Sequence, residues 1–233
     1  MAELEKVLST IDVNKLLKIP SSGEREMEEL IGRTLTEHFS PPLWAEEGRR
    51  NPAKLSRIYK FFQLFTKDYS IDQSLIEYAA VATDLNEGSR VVIKEGKFYK
   101  AITASSAIPG VIPPVELDGK LLIDGGAVDN LPVNVAADLG ADEVLAVDVS
   151  GGLGEEPANS MEVAVRAGKI TARELIRTKT KIARRRIDGD LLLLRPEVEE
   201  INMLNFNRID EAVEAGEECI KDDMESVEEL FAG

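Results

Sequence analysis

The sequence predicts an α/β protein, and three observations carry that expectation. The opening residues and the stretch from about Asn159 onward place apolar residues at helical spacing. Between them, from Ser74, the pattern changes to strand-length apolar runs: LIEYAAVATDL, RVVIKEGKFYKA, VELDGKLLID and DEVLAVDVS. Third, VELDGKLLID, the short helical segment VNVAADLG and DEVLAVDVS follow one another as strand, helix and strand, which suggests a parallel crossover.

Taken in order, AELEKVLST carries apolar residues at Leu4, Val7 and Leu8, and Asp12 caps VNKLLK. A second helical stretch, EREMEELIGRTLTEHF, is broken at Ser40-Pro41-Pro42, and the loop beyond it has Trp44 as its anchor. A helix is expected from Ala53 to Lys67. Its aromatic group Tyr59, Phe61, Phe62 and Phe65 suits core packing better than lipid contact.

LIEYAAVATDL reads as one strand, and RVVIKEGKFYKA as two short strands joined at Glu95-Gly96. VELDGKLLID reads as a hairpin through Asp118-Gly119. Asn130-Leu131-Pro132 starts a helix that stops at Gly140. A long helix is expected from about Asn159 to Ile187. DLLLLRP then forms a short strand stopped by Pro196, and one terminal helix runs from Phe206 to Leu230. The expected organisation is a single domain over 1–233: a mainly helical part at 1–67, a sheet core at 74–150, and helices with one short strand at 157–233.

The net charge of −15 disfavours binding to bulk nucleic acid. The lone Cys219 forms no internal disulfide, and the lone His38 rules out a multi-histidine metal site. No metal or cofactor is expected. No apolar run approaches the roughly 18 residues of a membrane span, and the acidic, amphipathic N-terminus is no secretory signal. A soluble cytoplasmic protein is the expectation.

The stretch with most chemical content is AITASSAIPGVIPPVELDGKLLIDGGAVDNLP. There a strand ends in Asp124-Gly125-Gly126. An aspartate at a strand end followed by two glycines is either a carboxylate displayed at the rim of a sheet or ordinary turn chemistry.

ASSAIPGVIPP, LIDGGAVDNLPV and ADEVLAVDVS together resemble the patatin-like phospholipase family, and DLLLLRPEVEEINMLNF resembles its bacterial members. The resemblance runs from the first helices to the end and covers the C-terminal two-thirds of such a domain. It implies a three-layer α/β/α fold with a mostly parallel sheet, and an acyl-ester hydrolase acting on lipids through a serine and an aspartate, without a catalytic histidine. The family's aspartate corresponds to Asp124, and Gly125 and Gly126 complete that motif. Asp129 and Asp118 have no expected part in the chemistry.

The family's glycine-rich oxyanion loop and its Gly-x-Ser-x-Gly turn have no counterpart in this chain, since no serine here has glycine at both −2 and +2. The chain therefore looks like the domain without its N-terminal strands and its nucleophile, and is expected to be inactive alone. A truncated enzyme, a shortened gene model and a non-catalytic, regulatory or partner-binding remnant of the fold are all compatible with this. Expected partners are a lipid or other acyl ester, a peripheral membrane contact, and self-association or docking with the missing N-terminal segment.

Substitute nucleophiles are weak. Ser105 and Ser106 suit small-residue packing, and Ser150 precedes Gly151-Gly152 without a phosphate-loop pattern. A triad through His38 needs a distant coincidence, and neither Ser89 nor Thr103 has a supporting motif. From Arg166 to Arg186 nine basic residues face one acid, Glu174. A solvated helix paired with acidic neighbours explains this better than attraction to anionic headgroups.

Overall fold

The computed structural model describes residues 52–109, 111–153, 156–198, 201 and 208–231. The helices expected before residue 52, with Trp44 and His38, lie outside the described residues. The chain is a mixed α/β protein that divides into two compact units, Met1–Asp129 and Asn130–Gly233.

In the first unit, α1 (Pro52–Thr66) opens on a proline, which suits the first helical turn. It turns Ile58 and Phe61 inward. Phe61 meets Phe62 and Phe65 edge-on, and Tyr59 meets Tyr99, so the aromatic group packs largely on itself and its neighbours. Lys67 and Asp68 then take left-handed backbone angles and end the helix.

β1 (Ala80–Asp84) is buried along its whole length. It pairs antiparallel with β2 (Ser89–Ile93) across a turn in which the Asp84 carboxylate accepts from the Asn86 amide at 2.9 Å. The ladder stops at Ala80, opposite Ile93, because β2 turns away there through Gly96. Leu75 and Ile76 are exposed, so the strand is shorter than the apolar run LIEYAAVATDL suggests.

The expected strand after Gly96 is a helix, α2 (Phe98–Ser105). Ala101 and Ala104 are spaced one helical turn apart and are fully buried, which seats this helix close to the sheet. Thr103 donates to the Tyr99 carbonyl at 2.6 Å, and Phe98 packs on Tyr78. The aromatic, strand-like FYK is overridden by that small-residue face.

β3 (Val115–Leu117) and β4 (Lys120–Asp124) form the expected hairpin, with Asp118 and Gly119 both at positive φ as a tight turn requires. The sheet order is β2-β1-β4-β3, antiparallel throughout. A four-residue helix, α3 (Gly126–Asp129), closes the unit.

In the second unit, α4 (Val133–Asp138) ends at Leu139 and the chain turns on Gly140 at positive φ, as expected. β5 (Val144–Val147) takes β6 (Leu191–Leu194) as its parallel partner, joined through α5 (Ser160–Ala183). The crossover expected from VELDGKLLID through VNVAADLG to DEVLAVDVS is not formed, because β4 and β5 belong to different sheets; the parallel crossover is β5-α5-β6. Parallel neighbours need such a long connection. Asn159 caps α5 by accepting the Glu162 amide at 3.0 Å.

Leu131, Val133, Val144, Ala146, Ile176, Ala183, Ile187 and Leu191 form the core of this unit, while Leu145 and Val147 alternate outward and remain exposed. The terminal helix is two helices, α6 (Ile209–Asp222) and α7 (Met224–Leu230). The break falls at Asp223, because aspartate favours caps over helix interiors.

Candidate active site around Asp124

Asp124 is the last residue of β4, which lies between β1 and β3. Its backbone is fixed on both sides. The amide donates to the Ala107 carbonyl at 3.0 Å, and its own carbonyl accepts from the buried Thr83 hydroxyl at 2.9 Å. The carboxylate is half-buried, and Oδ1 accepts the Gly126 N–H at 2.7 Å. Burial pushes this carboxyl above its ordinary value, and the Gly126 hydrogen bond offsets part of the rise.

The two glycines have separate reasons. A β-carbon on Gly125 would fall 2.3 Å from the Val81 carbonyl oxygen, so only glycine lets the chain leave β4 this close to β1. Gly126 supplies the amide that holds the carboxylate. Three residues on, the buried Asp129 carboxylate pairs with Arg90 Nη1 on β2 at 2.8 Å. Asp118 sits in the β3–β4 turn.

Ser105 ends α2 and Ser106 caps it, two and one residues before the carbonyl that accepts the Asp124 amide. Among the described residues no serine hydroxyl donates to the Asp124 carboxylate. The Ser89 hydroxyl is on Glu87, and Thr103 is spent on its own helix. In the second unit the Ser150 hydroxyl donates to Asp148, which also faces Arg195.

Asp148 and Ser150 line a cleft of about 1110 Å³ with Arg173, Arg177, Arg195 and Arg208. Three of these arginines pair with carboxylates, Arg177 with Glu174, Arg195 with Asp148 and Arg208 with Glu211. Arg208 holds the Glu211 carboxyl below its usual range. Within the basic run, Arg177 pairs with Glu174 of the same helix, and Arg186, just past the end of α5, pairs with Asp138. Among the described residues, no three His, Cys, Asp or Glu side chains group closely enough to hold a metal ion.

The family model for patatin-like phospholipases matches residues 11–137, which include β1 to β4 and Asp124-Gly125-Gly126. This chain belongs to the patatin-like phospholipase family. An uncharacterized NTE family protein of Mycobacterium tuberculosis is 52% identical over 73 residues, covering 31% of this chain and 20% of that protein. A second from the same organism is 28% identical over 179 residues, covering 69% of this chain and 31% of its own length. The mouse patatin-like phospholipase domain-containing protein 7 is 36% identical over 77 residues, 32% of this chain and 6% of that protein. The chain thus spans less than a third of the length of each of these relatives.

Three features of this patatin-like site escape sequence reasoning: the Arg90–Asp129 pair, the Thr83 anchor, and the contact of Gly125 with Val81. Each joins positions about forty residues apart, and only the strand register reveals them.

Proposed function

We propose that this chain is part of a lipid acyl-ester hydrolase in which Asp124 is the general base for a serine nucleophile supplied by a segment outside it. The observation that carries the reading is the Asp124 carboxylate, held by the Gly126 amide at the end of an interior strand. A serine Oγ attacks the acyl carbon while its proton passes to Asp124. The bond from the acyl carbon to the leaving oxygen then breaks, and that oxygen takes the proton. Water repeats the sequence on the acyl-enzyme. The upward push on the Asp124 carboxyl supports this role, because a stronger base accepts the serine proton more readily.

On this reading the polypeptide alone does not turn over esters, for want of a nucleophile and oxyanion donors. Contact with lipid is peripheral; no helix among the described residues is long and apolar enough to cross a membrane. A fluorophosphonate probe tests this. The chain alone should stay unlabelled, and a longer form carrying a Gly-x-Ser-x-Gly segment should label at that serine. Stoichiometric labelling of this chain at Ser105, Ser106 or Ser150 would overturn the reading.

A further inference from the structure

Asp124 is only as well placed as the amide that holds it, and that amide opens a helix of four residues. So short a helix has little hold of its own. Val128 and Asp129 donate to the Gly125 carbonyl, and a helix of four residues has room for few bonds along its own axis. Its far end is tied by a side chain. The Asp129 carboxylate is fully buried and reaches Arg90 Nη1 at 2.8 Å. Arg90 stands opposite Thr83 in the β1–β2 register, and Thr83 donates to the Asp124 carbonyl. Asp124, Gly126, Asp129, Arg90 and Thr83 therefore form a closed ring of backbone and side-chain contacts.

Burying an ion pair yields little net stability compared with packing apolar groups of the same size, but it fixes direction. The other buried carboxylate of the sheet, Asp84, is spent on its own turn and on Lys120, so it does not compete for Arg90.

We propose that the Arg90–Asp129 ion pair is a positioning clamp, which anchors α3 to β2 and so keeps the Gly126 N–H on the Asp124 carboxylate. The importance of that placement rests on the reading of Asp124 as the base; the clamp itself does not.

The Gly126 amide is the reporter, followed by proton–nitrogen NMR of the full chain across the pH range where Asp124 ionises. In the unaltered chain its resonance should move with pH, and Asp124→Asn should abolish that movement. The neutral pair Arg90→Gln/Asp129→Asn leaves no buried charge unpaired. It should keep the fold, lose most of the pH-dependent movement, and exchange the Gly126 proton about tenfold faster or more. Arg90→Lys, which keeps the ion pair, should restore most of both. Should the neutral pair not fold, Asp129→Glu keeps the charge while displacing the end of α3, and should itself weaken the Gly126 response. A folded neutral pair, or a folded Asp129→Glu in its place, with an unchanged Gly126 response overturns the clamp. So does a folded Arg90→Lys that restores nothing. None of these readings uses turnover, so they are separate from the test of Asp124 in catalysis.

Discussion

Gly125 passes so close to Val81 that a β-carbon there would sit 2.3 Å from the Val81 carbonyl oxygen and 2.8 Å from its carbon. Both atoms are backbone of the fully buried β1, so neither can yield without moving the sheet. Gly125→Ala should therefore cost about 1–3 kcal/mol or more by overpacking. It should also displace Asp124. Chemical denaturation measures the first effect. A variant as stable as the parent would show that β1 gives way.

The Asp124 carboxyl is raised by burial, which gives its stability effect a definite sign. A raised folded pKa means the native state holds the proton more tightly than the unfolded chain. Any stability contributed this way is complete below the unfolded value near 3.8 and is lost as pH rises through the folded value. At neutral pH the ionised group is a cost. Asp124→Asn should therefore melt at the same temperature as the parent or higher at pH 7, with the advantage fading in acid. A lower melting temperature at pH 7 contradicts this account.

The Arg90–Asp129 pair should respond unequally to removal of its two ends. The Asp129 side chain has no solvent exposure, whereas that of Arg90 keeps 30%. Arg90→Ala leaves a buried carboxylate, and breaking a buried pair costs about 3–5 kcal/mol. Asp129→Asn leaves an arginine that can turn to water, and should cost clearly less. Equal costs in denaturant would mean that the buried carboxylate finds another partner.

The β3–β4 hairpin and the end of α4 were legible in the sequence because turn chemistry is local: Asp118-Gly119 marks the first and Gly140 the second by residue type alone. Asp124-Gly125-Gly126 was legible for the same reason, as a strand end with two glycines. FYKA misleads because its strand-like aromatics are local, while the fit of Ala101 and Ala104 against the sheet is tertiary. Asp129 shows the same limit. As a sequence position it is a carboxylate with no assigned task, and only the β1–β2 register brings Arg90 to it.

Leu145 and Val147 point away from the β5–β6 core and stay exposed, although strands of parallel sheets are as a rule covered on both faces. On the proposal that further strands complete this fold, the chain alone should bind a hydrophobic dye or self-associate. Co-expression with the upstream segment should reduce both effects. A monodisperse chain without dye binding contradicts that proposal.

The central claim is that Asp124 is the base, and turnover of an acyl ester by a form of the protein carrying its Gly-x-Ser-x-Gly segment tests it most directly. Asn is close to Asp in size and can accept the same Gly126 hydrogen bond, but it cannot take the serine proton. Asp124→Asn should lower kcat by roughly 10²–10⁴-fold, the worth of general-base assistance, while the fold persists. Asp129→Asn should cost far less. Near-full turnover by a folded Asp124→Asn enzyme would contradict the account.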